Sequence, residues 1–206
     1  MNSSADLDHI ADALAAEHWV LLRDWIEPEL QHELLAIARQ RLASGALRPA
    51  RIGRVDGLRH DPGVRGDAIQ WLEPTDPAPC VLELLHLLDA LRVALNERLY
   101  LNLVETEAHF AHYPPGAGYQ RHLDRFRSDE ARTISAVIHL GEPWLPAHAG
   151  ELRMHLHGAD GEFEIDLPPW PGQLVLFASG EVEHSVLPTR RDRYSIAGWM
   201  RRRGSR

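Results

Sequence analysis

Apolar residues recur at helical spacing three times in the first half of the chain. Leu7, Ile10, Ala11, Leu14 and Ala15 form one stripe and predict a helix from Ala5 to His18. Leu30, Leu34, Leu35, Ile37, Ala38 and Leu42 form a second, opened near Pro28, which a first turn tolerates, and closed by Gly45, which suits a left-handed stop. The third stripe runs between Pro79 and Asn102, where Val81, Leu84, Leu85, Leu88, Leu91 and Leu95 repeat with no internal Gly or Pro. Trp19-Val20-Leu21-Leu22 is too short for a helix and reads as a buried strand. The Arg-, Gly- and Asp-rich stretch from Arg48 to Thr75 has no apolar stripe and reads as an exposed loop or hairpin.

From Val104 onward the period changes. Short runs rich in β-branched and aromatic residues, divided by Gly and Pro, predict strands over 104–113, 132–140, 150–157, 161–167, 172–178 and 192–201. Short strands so divided imply a sandwich or barrel, with the three helices covering one sheet face, an α+β fold. The expected organisation is one structural unit: residues 1–103 supply helices and a covering loop, and 104–206 supply the β core.

Composition narrows the chemistry. All 22 basic residues of the 206 are Arg, so a Schiff-base lysine, a pyridoxal anchor and a P-loop are excluded. The single cysteine, Cys80, rules out an internal disulfide and a Cys-rich metal site, and points to a reducing, cytoplasmic setting. No apolar run approaches the roughly 18 residues of a membrane span, so no membrane partner is expected. Residues 190–206 carry +6 against −14 on the rest, and the run Arg201-Arg202-Arg203 reads as a solvated tail rather than a nucleic-acid contact. Thirteen His and 30 carboxylates remain as raw material for a metal site or acid/base catalysis.

In Gln120-Arg121-His122-Leu123-Asp124, a His and an Asp two apart share one face of an extended segment and can chelate one ion. His184, after the strand at 172–178 and a hairpin-like Ser179-Gly180-Glu181 turn, is the best third ligand. Two imidazoles and a carboxylate make the facial triad of non-haem Fe(II) oxygenases, which keeps coordination positions open. Arg193, nine residues on, can receive a carboxylate in a bidentate fork, and 2-oxoglutarate carries such a distal carboxylate. His155 and His157 share a strand face but lack a comparable carboxylate partner. His109 and His112 point to opposite faces, and His9, His18, His32 and His86 read as surface groups.

This order of residues resembles the 2-oxoglutarate-dependent Fe(II) dioxygenases. Tyr113-Pro114-Pro115-Gly116-Ala117-Gly118-Tyr119-Gln120-Arg121-His122-Leu123-Asp124 and Arg65-Gly66-Asp67-Ala68-Ile69-Gln70-Trp71 are similar to two segments of the EGL-nine-type, hypoxia-sensing prolyl hydroxylases. The spacing from His184 through Arg193 to Trp199 is kept as well, so the resemblance covers about residues 60 to 200.

The resemblance implies a double-stranded β-helix core and hydroxylation of a protein proline with release of succinate and CO2. It also implies Fe(II), 2-oxoglutarate and O2, ascorbate as an accessory reductant, and a protein substrate of which a translation factor is one example. By position, His122, Asp124 and His184 would hold iron, and Arg193, Tyr113, Val137 and Leu152 the co-substrate. Trp199 would close the pocket, and Arg65, Asp67 and Trp71 would shape the substrate cleft.

Two departures stand out. His139 takes the place of a tyrosine that helps the family's arginine hold the distal carboxylate of 2-oxoglutarate, where an imidazole can still donate with a shorter reach, and Arg125-Phe126-Arg127 replaces a neutral segment. The readings set against prolyl hydroxylation are an oxygenase for a small molecule or another side chain, a zinc hydrolase on the same triad, and a non-catalytic β-barrel module.

Overall fold

The computed structural model describes residues 4–51, 61–125, 131–158 and 160–203. Helix α1 spans Ser4–Glu17, strand β1 Trp19–Leu22, helix α2 Pro28–Ala43, the short strands β2 Arg48–Pro49 and β3 Ala68–Trp71, and helix α3 Pro79–Leu99. Then follow β4 Leu103–Tyr113, β5 Tyr119–His122, β6 Arg132–Leu140, β7 Leu152–Gly158, β8 Gly161–Leu167, β9 Leu174–Ala178, β10 Glu183–Val186 and β11 Arg193–Arg202. The strands form a seven-stranded sheet, β1-β9-β6-β11-β4-β3-β2, and a four-stranded one, β5-β10-β7-β8. All pairings are antiparallel, and the two facing sheets make the double-stranded β-helix with helices on one side.

Strand alternation sorts the side chains into two layers. Ile134, Ala136 and Ile138 of β6, Leu174 and Leu176 of β9, Phe110 of β4 and Ile196 of β11 pack against the helices. There Leu34, Leu84, Leu88 and Leu95 are fully buried, each contributing roughly 1.5–3 kcal/mol. The other face of the same strands looks between the sheets, where Val175, Phe177, Leu152 and Met154 form a second, smaller core. Polar residues interrupt this inner layer at Ser135, His139, Arg193 and Ser195, all buried.

Several boundaries differ from those read off the sequence. Helix α3 stops at Leu99 instead of 102 because Tyr100 and Asn102 take left-handed φ of 52° and 59°. The Asn96 side chain then pairs with both the N–H and C=O of Leu103, starting β4 one residue early. Gly45 does end α2 with a φ of 72°. The stretch at 48–75 holds β2 and β3, which extend the large sheet through β4. With β1 on β9, the 103/104 boundary therefore separates helices from most strands along the chain but not in space. The arginine run is not a free tail: Arg201 and Arg202 belong to β11, Arg201 pairs with Glu105 and Glu107 at 3.1 and 3.2 Å, and Arg202 binds the Leu101 carbonyl. Phe126 and Arg127 lie outside the described residues. Among the described residues no helix is long and apolar enough to cross a membrane.

Candidate active site

His122 ends β5 and His184 sits on β10, directly opposite it in the antiparallel register. This pairing lies within the small sheet, and the Ser179–Glu181 turn before β10 is not a hairpin: β9 belongs to the large sheet and β10 to the small one, so the turn crosses between layers. Gly118, just before β5, permits the approach, since a Cβ there would lie 2.6 Å from the Val186 carbonyl oxygen. The spacing predicts Asp124 on one strand with His122, but β5 ends at His122 and Asp124 lies beyond it. The chain bends off β5, tied by Arg125 N–H to the Ser179 carbonyl, and the Asp124 carboxylate is fixed by the Ser135 hydroxyl at 2.7 Å.

The result is a cluster whose three ligand atoms lie within 4.8 Å of one another. Asp124 Oδ1 is 3.5 Å from His122 Nε2 and Oδ2 is 3.6 Å from His184 Nε2. The Nδ1 atoms face backbone carbonyls, Gln120 at 2.8 Å for His122 and Val182 at 3.3 Å for His184, so Nδ1 carries the proton and the Nε2 lone pairs face the centre. The His122 ring stacks on Tyr119, and His184 packs against Phe177. Burial holds His184 neutral by pushing its pKa down to about 4. Burial opposes ionisation of Asp124, but His184, His122 and the Ser135 hydroxyl outweigh it and keep the carboxyl well below the usual range. A neutral His184 and an ionised Asp124 are in the protonation states a divalent cation needs. Among the described residues this is the one group of three or more such side chains within mutual reach; His155 is buried beside Glu164 and Ser185 on the outer face of the small sheet, and His157 is exposed.

Ser135 was not among the sequence candidates, because nothing marks one inward serine on a strand until Asp124 is brought to it. Ser135→Ala is expected to lower metal affinity about 10- to 100-fold, the usual cost of losing a group that orients a ligand, without unfolding the protein. Metal titration of the apo-protein checks this.

Arg193, Tyr113, Val137 and Leu152 line the same cavity as the triad, with Val186, Ser195 and Ala197. Arg193 is 5% exposed and faces Tyr113 across β11 and β4, its guanidinium 5.2 Å from the ring centre. Its Nε donates to the Gly150 carbonyl at 2.9 Å, Nη1 to Ser195 Oγ at 3.1 Å and Nη2 to His139 Nδ1 at 3.3 Å. A guanidinium has five N–H groups, so one remains on each Nη, the pair that a carboxylate accepts in a fork. Burial lowers the Arg193 pKa, and among the described residues no carboxylate forms an ion pair with it. A buried cation without a counter-charge fits an anionic ligand. Burial also raises the Tyr113 pKa, keeping the phenol protonated as a donor.

His139 behaves differently from the expected donor to the co-substrate. It is fully buried but does not line the cavity, and because arginine only donates, its Nδ1 accepts from Arg193. Burial and Arg193 drive its pKa well down, so the ring is neutral with its proton on Nε2, which has no hydrogen-bond partner among the described residues. It holds the arginine.

Arg65 and Asp67 pair with each other through Nε–Oδ1 at 2.7 Å and Nη2–Oδ2 at 2.9 Å. Arg65 covers the Tyr119 ring and lines the cavity, whereas Asp67 is buried beneath it at 2% exposure. The element thus anchors the start of β5. Trp199 lines the cavity, sandwiched between Arg132, whose Cζ is 3.7 Å from the ring centre, and the outer Trp71, 43% exposed. His109, read as a bystander, also lines the cavity; its place two and four residues before Ala111 and Tyr113 on one strand face was the available signal.

The sequence profile of the 2OG-Fe(II) oxygenase superfamily matches residues 108–201, the segment holding every triad residue and Arg193. The chain is 45% identical to a Pseudomonas putida prolyl-4-hydroxylase whose crystal structure superposes with a TM-score of 0.86, covering 96% of this chain and all of that one. A Trichoplax adhaerens prolyl hydroxylase, solved with a hypoxia-inducible-factor peptide fragment, shares the fold at 21% identity and TM-score 0.86, over 96% of this chain and 90% of that one. Egl nine homolog 1 of Homo sapiens is 30% identical over 141 residues, 66% of this chain but 33% of that protein, so the chain spans about a third of this curated relative's length. The chain belongs to the 2OG-Fe(II) oxygenase superfamily and, within it, to the prolyl hydroxylase family.

Proposed function

We propose that this protein is an Fe(II)- and 2-oxoglutarate-dependent prolyl 4-hydroxylase acting on a proline in a protein substrate. One observation carries the reading: a single cavity holds the His122-Asp124-His184 cluster together with a buried Arg193 that has no ion-pair partner among the described residues. When bound, Fe(II) couples decarboxylation of 2-oxoglutarate to succinate and CO2 with insertion of one oxygen atom of O2 into a C–H bond.

The protein's own part is placement. His122, Asp124 and His184 would present three ligands on one side of the ion. The two free Nη–H groups of Arg193 would grip the distal carboxylate, with Tyr113 as a further donor, while Val137 and Leu152 form apolar walls that exclude water. The Trp199 and Trp71 rings at the rim suit an apolar pyrrolidine ring, and the Arg65 to Trp71 element borders the course of a peptide. Ascorbate would act as accessory reductant, a cytoplasmic setting agrees with the single buried thiol of Cys80, and a translation factor is one candidate target.

His139→Ala is expected to weaken 2-oxoglutarate binding about tenfold, since Arg193 loses one of three hydrogen bonds that orient it, while iron binding stays unchanged. Parallel titrations of metal and co-substrate check both halves, and an unchanged co-substrate midpoint would remove His139 from the site.

The function itself is tested by incubating the protein with Fe(II), ascorbate, 2-oxoglutarate and air in a cell extract, then seeking one added oxygen on proline by mass spectrometry. Oxygen on another side chain would move the substrate reading. Absence of both modification and uncoupled succinate would overturn the enzyme.

A further inference from the structure

His109 is 1% exposed, yet its ring lines the cavity that holds the metal cluster. Two aromatic neighbours fix it: Trp71 meets it edge-on at 5.0 Å and 88°, and Trp199 lies 5.3 Å away. Its Nδ1 lies 3.0 Å from the Phe110 carbonyl, which can only accept, so Nδ1 carries the proton. Burial, aided by the nearby Arg65 and Arg132 cations, lowers its pKa to about 4 and keeps the ring neutral. Nε2 is therefore a bare lone pair, and among the described residues nothing donates to it. Arg65 is committed to Asp67 and Arg132 to Glu107, so neither neighbouring cation is positioned to supply that proton. A buried acceptor in an aromatic wall, opening on a ligand cavity, calls for a donor on the ligand.

We propose that His109 is a specificity-determining residue: its Nε2 accepts a hydrogen bond from a backbone N–H of the residue flanking the target proline. This deepens the prolyl reading above and rests on it. The target proline has no N–H within a peptide, so the donor belongs to a neighbour on one side. A second proline on that side removes the donor, leaving His109 unpaired, and the site discriminates against such Pro-Pro sequences at that flank.

The probe is a synthetic peptide spanning a proline that gains oxygen in the extract assay, with two further versions, each N-methylated at one residue flanking that proline. Binding is measured anaerobically by calorimetry to the Fe(II)/2-oxoglutarate complex of wild type, His109→Phe and His109→Gln. The wild type should bind one methylated peptide about tenfold more weakly than the unmodified one, the worth of one hydrogen bond. His109→Phe should lose the same factor on the unmodified peptide and cease to distinguish it from that methylated version. His109→Gln, which keeps an acceptor oxygen, should retain part of the discrimination. An unchanged 2-oxoglutarate midpoint in each variant reports an intact site. The wild-type comparison stands even where a variant does not fold, and equal binding of all three peptides by wild type overturns the proposal. So does undiminished discrimination in His109→Phe. A protein that hydroxylates no proline overturns the prolyl reading itself, a separate result.

Discussion

Asp124→Ala is expected to abolish turnover and to lower Fe(II) affinity by more than about 100-fold, because loss of the ligand exceeds the 10- to 100-fold cost of losing a group that merely orients one. The carboxylate is the one oxygen ligand of the cluster, and it lies within 3.6 Å of both imidazole Nε2 atoms. Its removal leaves two imidazole nitrogens and an open side. The Ser135 hydroxyl, which donates to Asp124 and so accepts from the Ser179 hydroxyl, keeps Ser179 as a partner, so the local fold should survive. Equilibrium metal binding and succinate release, measured on the same preparation, separate loss of iron from loss of structure. A fully active variant would exclude the triad as the metal site and with it the proposed chemistry.

Arg193→Ala is expected to raise the 2-oxoglutarate concentration needed for half-saturation by about 30-fold or more, since truncating one partner of a buried charge pair typically costs 2–5 kcal/mol. The effect should be specific to the distal carboxylate. Wild type should prefer 2-oxoglutarate strongly over a keto acid that lacks that group, and the variant should lose most of this preference while keeping its metal affinity. Arg193→Lys should recover little, because a point charge cannot reproduce the contacts to Gly150, Ser195 and His139 and a bidentate grip together. Competition binding with the two acids checks this; an unchanged preference in Arg193→Ala would place the co-substrate elsewhere.

These two residues are legible in the sequence because their chemistry is written in short spacings. His122 and Asp124 are near neighbours, and His184 and Arg193 lie nine apart, so local sequence retains the pattern. The helices were equally plain, since a 3.6-residue stripe survives wherever the apolar face is long, as over α2 and α3. Strands β5 and β10 were harder. Each has four residues, and each is stabilised by its partner across the small sheet more than by its own composition.

Ser135, His109 and the contact of His139 with Arg193 were hidden for another reason. Each occupies an ordinary inward position on a long strand whose other inward residues are apolar or small, so the sequence marks it only as a polar interruption. Its meaning depends on what the neighbouring strand or loop brings opposite: Asp124 for Ser135, Arg193 for His139, the two tryptophans for His109.

The amino-acid sequence by itself determined the class of fold, the absence of lysine and internal disulfide chemistry, the four candidate residues for metal and co-substrate binding, and the family they resemble. Only the tertiary structure decided that Asp124 leaves its strand to meet Ser135, that Arg193 stands buried with no ion-pair partner among the described residues, and that His139 Nδ1 accepts from the arginine. The physical reason is range: periodicity and motif spacing are properties of neighbouring residues, whereas desolvation and hydrogen-bond partnership are set by groups from distant strands that meet when two sheets close on each other.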